Sequence, residues 1–454
     1  MTIKKNIYFI GVGGIGMSAL ARYFLALGCK VSGYDKTETA LTKKLENEGV
    51  KIHYEDNVSL IDKEFLSLEN TLVILTPAVP KNHSEWNFFK RSGFEILKRA
   101  QVLGKITESN KSIGVAGTHG KTTISSMISH IFKFCNVPFT AFLGGISKDL
   151  GSNYYHDLNS QITVVEADEY DRSFLELKPT FATVSAIDAD HLDIYGTKEE
   201  MQKAFRQYLD QNLQKQGVAI IHSSLTEVLG KKYKTYSIDD ESADYYAANF
   251  RVENADFFGD FKWSGGEIKD VKIGLPGIHN MENALLAFGI ALENGIEPVK
   301  IKEAIGNYSG VERRFDVHIK SDNLIYIDDY AHHPEEIKKL VTSVRKMYPE
   351  KNILGVFQPH LFSRTQDFAD EFARSLELLD ELLLLDIYPA RELPIPGVNS
   401  RMLFDRINMN SKTLCSKKQL THYVGVSKCD VVLTIGAGDI GAEVENLKEF
   451  LLKH

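Results

Sequence analysis

Cysteines are few in this sequence and long apolar runs are missing, and each scarcity removes a class of protein. The four cysteines, Cys29, Cys135, Cys415 and Cys429, lie far apart and form no C-x-x-C pair. We therefore expect neither a zinc site nor a disulfide framework, and the composition fits a reducing compartment. No unbroken run of about 18 apolar residues occurs, so we expect no membrane span.

Positive charge is also scarce, because 61 Asp and Glu residues outnumber 53 Lys and Arg and give a formal net charge of -8. This balance argues against a general nucleic-acid or membrane-surface binder, although it leaves room for local basic pockets that bind phosphates. Hydrophobic residues make up 43% of the chain and charged residues 25%, as in globular, soluble proteins. At 454 residues the chain is too long for one ordinary core, and we expect roughly two to four domains.

The N-terminal segment "IYFIGVGGIGMSALA" allows two interpretations. Lys4 and Lys5 precede it and it ends in Ala-Leu-Ala, which superficially resembles a secretory signal. Its glycines and serine, and a helical pattern that continues from Arg22 to Leu27, instead favour a buried strand, a glycine turn and a helix. We therefore expect a cytoplasmic protein.

An apolar strand, a glycine turn and an amphipathic helix follow one another repeatedly. The first copy covers 6–27, the second covers 111–132, and a third region of the same kind begins near 320. Buried strands that alternate with helices predict an α/β fold with parallel, doubly wound sheets. The polar stretches at 104–111 and 317–323 are the expected joints between domains.

The first glycine turn carries a dinucleotide-type fingerprint. Gly11, Gly13 and Gly16 satisfy G-x-G-x-x-G, and Asp35 ends the next predicted strand. This pattern predicts a pyrophosphate on a helix N-terminus with an acidic residue near a ribose. It specifies a nucleoside diphosphate without choosing between NAD and another nucleotide, and a purely structural tight turn is the alternative.

The second glycine turn, "GVAGTHGKTT", ends like a phosphate-binding P-loop. Backbone amides of such a turn bind phosphates, Lys121 can neutralise β- and γ-phosphate charge, and the Thr122 hydroxyl can reach Mg²⁺. The strict G-x-x-x-x-G-K-[ST] pattern fails because Val115 occupies the position of its first glycine. An ordinary exposed helix start is the alternative.

Two clusters of acidic residues follow two apolar strands in the same region. The first, in "ITVVEADEYD", contains Glu166, Asp168, Glu169 and Asp171, and the second, in "DADHLD", contains Asp188, Asp190, His191 and Asp193. Carboxylates at strand ends beside a P-loop are suited to a hard cation that bridges phosphates. Solvated strand ends, helix caps or, for His191, a core histidine are the alternatives.

Seven motifs occur in a fixed order: "AGTHGKTT", "EADEYD", "DADHLD", "HNMENALLA", "GVERRFD", "DDYAHHP" and "QPHLFSRT". Together with "GVGGIGMSALA" and "GAGDI" they resemble the Mur ligase family over about residues 7 to 441. The resemblance implies three domains. They are a Rossmann-like UDP-sugar domain at 1–107, a central P-loop ATPase domain with a mostly parallel sheet at 108–319, and a Rossmann-like domain at 320–454 that contacts the amino acid and ATP.

The resemblance also implies an activity, which is ATP- and Mg²⁺-dependent amide formation in peptidoglycan precursor synthesis. The branch that it favours joins L-alanine to the lactoyl carboxylate of UDP-N-acetylmuramate through an acyl phosphate. Two alternatives stay open: a recycling ligase that adds a whole tripeptide to the same nucleotide, and a nicotinamide-dependent dehydrogenase, which would leave the second loop unused. We expect no nucleic-acid or membrane partner and a monomer or weak dimer.

For ATP, the resemblance implies roles residue by residue. Lys121 would bind the β- and γ-phosphates, while Thr122 and Glu166 would hold one Mg²⁺ and His191 would help to hold a second. Asn280 and Asn283 would face adenine, with helix capping as the alternative. Arg314, with Arg313 as the fallback, would contact phosphate, and Asp329 would orient ATP. The implied ATP-binding set is Gly117, Thr118, His119, Gly120, Lys121, Thr122, Thr123, Asn280, Asn283, Arg314 and Asp329.

For the other substrates, the resemblance implies two further sets. The UDP-sugar set is Gly13, Gly14, Ile15, Gly16, Met17, Asp35, His53, Thr76 and Ala78. The L-alanine set is Tyr330, His332, His360 and Arg364, where the guanidinium would bind a carboxylate. An architectural role for the Asp329–Tyr330 pair is the alternative. Leu361 departs from the family pattern, because other members often carry Arg there.

Overall fold

The computed structural model describes residues 4–108, 110–188, 192–214, 216–390 and 392–453. It divides into two compact units. The first comprises Met1–Ala248, Asp260–Lys269 and Glu282–Tyr308, and the second comprises Asn249–Gly259, Asp270–Met281 and Ser309–His454. No helix in these described ranges is both long and apolar enough to cross a membrane.

The first sheet has five parallel strands in the order β3-β2-β1-β4-β5. Its strands are β1 (Asn6–Ile10), β2 (Lys30–Tyr34), β3 (Lys51–His53), β4 (Thr71–Leu75) and β5 (Glu95–Lys98). Its helices are α1 (Ile15–Ala26), α2 (Ala40–Asn47), α3 (Ser84–Arg91) and α4 (Arg99–Glu108). Every residue of β1 and β4 is buried, as expected for central strands of a parallel sheet.

The second sheet has ten strands in the order β15-β14-β13-β12-β11-β10-β6-β9-β7-β8. The strands are β6 (Lys111–Ala116), β7 (Thr140–Ser147), β8 (Ser152–His156), β9 (Ile162–Glu166), β10 (Phe181–Val184), β11 (Val218–His222), β12 (Lys234–Ser237), β13 (Tyr245–Glu253), β14 (Asp256–Trp263) and β15 (Gly266–Ile273). The helices are α5 (Lys121–Phe134), α6 (Leu192–Tyr195), α7 (Lys198–Gln214), α8 (Thr226–Leu229), α9 (Ile278–Glu293) and α10 (Pro298–Gly306). Strands β9, β6, β10 and β11 are parallel neighbours, so their carboxyl ends share one edge.

The third sheet has the order β16-β17-β21-β18-β19-β20, and only β16 pairs in antiparallel fashion among these strands. The strands are β16 (Asp316–Lys320), β17 (Ile325–Asp329), β18 (Ile353–Phe357), β19 (Glu381–Leu384), β20 (Lys412–Leu414) and β21 (Val431–Ile435). The helices are α11 (Pro334–Met347), α12 (Phe362–Asp367), α13 (Ala369–Leu376), α14 (Ser400–Phe404), α15 (Leu420–Val426) and α16 (Val444–Leu451). The predicted α/β class with mostly parallel sheets is confirmed.

Helix α1 packs between the first two sheets. Its apolar residues Met17 and Leu20 belong to one buried cluster with Phe142 and Val165 of the second sheet. The Asn153 side chain in β8 donates hydrogen bonds to the Ile15 carbonyl and, at 3.0 Å, to the Ser18 hydroxyl. The first two sheets therefore share a core within the first unit, while the predicted domain boundaries after 107 and 319 stay predictions.

Candidate functional site

The predicted P-loop joins β6 to α5 and consists of residues 117–120. Gly117 has φ 133°, and a Cβ on it would overlap the Ser185 hydroxyl. Gly120, the residue before α5, has φ 82°, in the left-handed region that favours glycine. Val115 is a fully buried residue of β6, so the departure from the strict pattern falls in the strand and leaves the turn intact.

The loop after β10 holds the P-loop backbone in place. The Thr118 amide donates to the Ala186 carbonyl at 2.9 Å, and the Asp188 amide donates to the Thr118 hydroxyl at 3.1 Å. His119 Nε2 lies 2.9 Å from an Asp188 carboxylate oxygen, and the His119 carbonyl accepts a hydrogen bond from Ser185. Thr118 and His119, both predicted to bind ATP, thus fix the shape of the turn through contacts with the loop after β10.

Lys121, the first residue of α5, bridges the P-loop and the first acidic cluster. Its ammonium donates to the Gly117 carbonyl at 2.8 Å and to Glu169 Oε1 at 2.9 Å. Burial alone would lower the pKa of Lys121, but the carboxylates of Glu169, Asp168 and Glu166 raise it above its ordinary value. The Lys121 side chain is therefore positively charged and held in place between the P-loop and Glu169.

Thr122 and Glu166 form a pair of hard oxygen donors. The Thr122 hydroxyl donates to Glu166 Oε2 at 2.8 Å, and the Gly144 amide donates to the same oxygen at 3.0 Å. A Cβ on Gly144 would overlap this carboxylate, so glycine is required for its position. A hydroxyl and a carboxylate beside a phosphate loop suit Mg²⁺, which takes few protein ligands and completes its shell with phosphates and water.

His191 and Asp190 lie outside the described residues. Among the residues that are described, no group of three or more His, Cys, Asp or Glu side chains could hold a metal ion. The candidate metal position therefore consists of the Thr122 hydroxyl and the Glu166 carboxylate, and the predicted role of His191 stays a prediction.

The two predicted adenine-facing asparagines differ in their surroundings. The Asn280 side-chain amide donates to the Pro276 carbonyl at 2.6 Å, which ties the first turn of α9 to the residue four positions earlier. Its predicted adenine contact and the capping alternative both stay predictions. Asn283 is buried, and a Cβ on Gly120 would lie 2.8 Å from its side-chain oxygen. Thr123 is also buried in the first turn of α5. Asn283 thus lies against the P-loop at Gly120.

The first glycine loop joins β1 to α1 and is held by Asp35. The Gly13 amide donates to Asp35 Oδ2 at 2.7 Å, and the Thr37 amide donates to Oδ1 at 3.1 Å. Gly14 precedes α1, whose first amides lack intrahelical acceptors. The Met17 side chain is buried in the core, so this residue can offer a ligand only its backbone amide.

The other predicted UDP-sugar residues lie around the first sheet. His53 Nε2 is 2.9 Å from the Tyr8 hydroxyl, and that hydroxyl donates its hydrogen to the buried Glu85 at 2.7 Å. Thr76 lies so close to Gly11 that a Cβ on that glycine would overlap its methyl group. Ala78 is exposed. The contact of His53 with Tyr8 and Glu85 could not be predicted from the sequence, because a tyrosine inside an apolar strand and a glutamate on a helix carry no motif.

In the second unit, the adjacent Arg313 and Arg314 have different surroundings. Arg313 donates to Asp328 Oδ2 at 3.0 Å and to the Gly436 carbonyl at 2.6 Å, so it ties two strand ends together. Both guanidinium groups lie over the Tyr330 ring, with Arg313 at 5.3 Å and Arg314 at 4.9 Å from its centroid. Arg313 thus has a structural role, and the predicted phosphate contact of Arg314 stays a prediction.

Asp329 ends β17 and organises the loop that follows. Its carboxylate accepts hydrogen bonds from the Phe315 amide at 2.6 Å and the Ala331 amide at 2.7 Å. Burial raises the pKa of Asp329 to about 6, although Arg314 and these amides oppose the shift. The architectural role that the sequence left open is thus present in the structure, and the predicted contact with ATP stays a prediction.

The predicted L-alanine residues form an aromatic and cationic cluster after β17 and β18. The His332 ring lies 5.4 Å from the Tyr330 ring and 5.9 Å from the His360 ring, between centroids. Burial lowers the pKa of His332 to about 4, and Arg364 and Arg314 lower it further against the opposing effect of Glu336. Because His332 Nδ1 faces the Tyr330 carbonyl at 3.0 Å, Nδ1 carries the hydrogen and Nε2 has the lone pair.

Leu361 adopts a backbone conformation that is rare for a branched residue. Its φ is 73°, its amide donates to the Tyr388 carbonyl at 3.0 Å, and its carbonyl accepts from the Thr365 hydroxyl at 2.7 Å. Arg364, three residues further on, is buried. This strained turn stands directly before α12, which carries Arg364. Arg364 is the residue that the family resemblance assigns to the L-alanine carboxylate.

Fold and site together define a nucleotide-binding α/β protein in which a P-loop lysine and a threonine–glutamate pair converge at the edge of a parallel sheet. The chain belongs to the Mur ligase family. Three family models match it: "Mur ligase family, catalytic domain" over 6–111, "Mur ligase middle domain" over 115–291 and "Mur ligase, glutamate ligase domain" over 313–438. The predicted family and three-domain α/β architecture are confirmed.

Individual relatives match over the full length of the chain. It is 49% identical to UDP-N-acetylmuramate--L-alanine ligase from Parabacteroides distasonis, covering 100% of this chain and 99% of that protein. It is 50% identical to the protein of the same name from Flavobacterium psychrophilum, covering 98% of each. The crystal structure of UDP-N-acetylmuramate-alanine ligase from Thermotoga maritima is similar with a TM-score of 0.84 at 27% identity, covering 99% of each chain.

Proposed function

We propose that this chain is an ATP-dependent ligase that joins L-alanine to the lactoyl carboxylate of UDP-N-acetylmuramate in peptidoglycan precursor synthesis. The observation that carries the proposal is the convergence of the Lys121 ammonium with the Thr122–Glu166 oxygen pair beside the P-loop. The relatives that match the whole chain at 49% and 50% identity support the choice of substrates.

The reaction follows from the weakness of a carboxylate as an acyl donor. The lactoyl carboxylate attacks the γ-phosphorus of ATP, ADP leaves, and the acyl phosphate has phosphate as its leaving group. The amine of L-alanine then attacks the carbonyl carbon, the amide bond forms, and phosphate and a proton are released. Catalysis of such a transfer depends mainly on positioning and on neutralising crowded negative charge.

The first unit supplies the groups for phosphate activation. Lys121 neutralises the β- and γ-phosphates, and Thr122 and Glu166 would hold Mg²⁺, which would screen the phosphate charge. Asn283 approaches the nucleotide from beside Gly120. The amides that open α1, between Gly14 and Met17, receive the diphosphate of the sugar nucleotide.

The second unit supplies the groups for the amino acid. Arg364 binds the L-alanine carboxylate, because a guanidinium matches a carboxylate with two parallel hydrogen bonds. His332 is held neutral in the same cluster, so it adds no positive charge that would repel the incoming amine. Arg314 contacts phosphate, and Asp329 fixes the loop that carries Tyr330 and His332.

The deciding experiment measures phosphate release from ATP in the presence of UDP-N-acetylmuramate and a panel of amino acids, including the L-alanine-initiated tripeptide. Release that requires both the sugar nucleotide and L-alanine is the expected result. Phosphate release that requires the sugar nucleotide and the tripeptide, and does not occur with L-alanine, would instead identify the recycling ligase. A change of absorbance with NADH and no phosphate release would identify a dehydrogenase. We expect a cytoplasmic monomer or weak dimer.

A further inference from the structure

Arg99, which no motif singles out, lies beside the first glycine loop. It opens α4 directly after β5, and the last residues of β1, β4 and β5 (Ile10, Leu75 and Lys98) stand in register. The Arg99 side chain and the glycine loop therefore leave the sheet at the same edge. The strand order reverses between β1 and β4, and ligands of such sheets bind in the crevice at that point.

The Arg99 guanidinium contacts the first turn of α1. A Cβ on Gly16 would overlap Arg99 Nη1 and would lie 3.1 Å from its Cδ and Cζ. In the fingerprint, the third glycine normally allows a helix to approach a strand. Here it makes room for a cation at the second residue of α1, where the backbone amides have no intrahelical acceptor.

A cation at a helix N-terminus is electrostatically unfavourable, because the helix dipole is positive there. Asp168 compensates part of this charge, since its Oδ2 accepts a hydrogen bond from Arg99 Nη2 at 3.1 Å. Nη1 lies against Gly16, in the turn whose backbone amides lack intrahelical acceptors. The guanidinium and these amides therefore place positive charge on the same turn, which an anion would compensate.

We propose that Arg99 binds the diphosphate of the sugar nucleotide at the first glycine loop, opposite the amides of α1, while Asp168 holds its guanidinium in place. This inference rests on the proposed function and adds a binding residue to the sugar-nucleotide site. Asp168 lies between Glu166 and Glu169 in sequence, so one acidic loop would serve both proposed nucleotide sites.

The test compares the affinities of UDP-N-acetylmuramate, UDP and uridine for the full-length wild-type protein and Arg99→Ala, measured by titration without ATP. We expect Arg99→Ala to lower the affinity for UDP-N-acetylmuramate and for UDP about tenfold or more, because a hydrogen bond to a charged group is lost. The affinity for uridine should stay unchanged. Arg99→Lys should give an intermediate loss, since it keeps the charge without the planar fork.

Lys98→Ala is the matched control, because Lys98 pairs with Asp171 at 3.1 Å in the same acidic loop. It should leave all three affinities unchanged. If wild-type protein fails to bind UDP-N-acetylmuramate, the proposed function is wrong. If wild-type protein binds it and Arg99→Ala binds UDP equally well, or loses uridine as strongly as UDP, the role of Arg99 is wrong. A melting temperature for each variant identifies misfolding, in which case Arg99→Lys decides.

Discussion

At the scale of single residues, the charge of Lys121 is balanced by its neighbours before any nucleotide binds. The Glu169 carboxylate is almost fully buried, and its two oxygens lie 2.9 and 2.8 Å from the ammonium. A buried charge that loses its partner destabilises a protein far more than a surface charge does. In the proposed ATP site, the lysine is therefore already desolvated and held by a carboxylate that would compete with phosphate.

Glu169→Gln should expose this competition. Without nucleotide, we expect the variant to be less stable by up to about 3 kcal/mol, because Lys121 loses its buried counter-charge. A magnesium nucleotide should raise its melting temperature more than that of wild type, since phosphate replaces the missing charge. Glu176→Gln, at an exposed position of the same segment, is the control. Equal melting temperatures of wild type and Glu169→Gln without nucleotide would contradict the expected role of Glu169.

Glu85 makes the stability of the first unit depend on pH. It is fully buried, it accepts a hydrogen bond from Tyr8, and burial raises its pKa to about 7. Because the folded-state pKa exceeds the ordinary value of 4.5, folding favours the protonated form. The resulting stabilisation is complete below pH about 4.5 and is lost as the pH rises through about 7.

Glu85→Gln should remove this dependence, because glutamine stays neutral. At pH 5 we expect the variant to melt close to wild type, and at pH 8.5 we expect it to be more stable by about 1–3 kcal/mol. Thermal unfolding at both pH values, with exposed Glu46→Gln as the control, measures the difference. A gap between wild type and Glu85→Gln that does not widen with pH would show that Glu85 ionises normally.

At the scale of elements, the metal position depends on how closely β7 approaches the end of β9. Gly144 donates its amide to Glu166 and has no side chain to displace it. Gly144→Ala should push the carboxylate away from Thr122 and raise the Mg²⁺ concentration for half-maximal phosphate release about tenfold. The melting temperature should change little, because the added methyl group meets the end of a flexible side chain. An unchanged Mg²⁺ dependence would exclude Glu166 as a metal ligand.

The sequence predicts best those elements in which the local signals, turn residues and apolar periodicity, indicate the same structure. Both glycine loops join a buried strand to a helix as predicted, since turn chemistry and apolar periodicity agree there. The sequence did not predict strands β13 to β15, because their alternation of apolar and polar residues is weak and they contain no motif. The position of Arg99 against Gly16 depends on a tertiary contact, so no local pattern indicates it.

At the scale of the whole molecule, the two glycine loops belong to one unit. Helix α1 shares its buried core with the second sheet, and Asn153 holds its first turn. Arg99 adds an ion pair from the first sheet to the acidic loop that contains Glu169. A sugar nucleotide on the first loop and a triphosphate on the second would thus be fixed relative to one another, as transfer between them requires.

The account depends most on the claim that the turn before α5 binds the phosphates of ATP with Lys121. The most direct measurement titrates a magnesium complex of a non-hydrolysable ATP analogue into wild-type protein and Lys121→Ala, with UDP-N-acetylmuramate binding as the control for folding. We predict tight binding to wild type, a loss of about tenfold to a hundredfold in Lys121→Ala, and unchanged sugar-nucleotide affinity. Equal affinity of both proteins for the ATP analogue would contradict the claim.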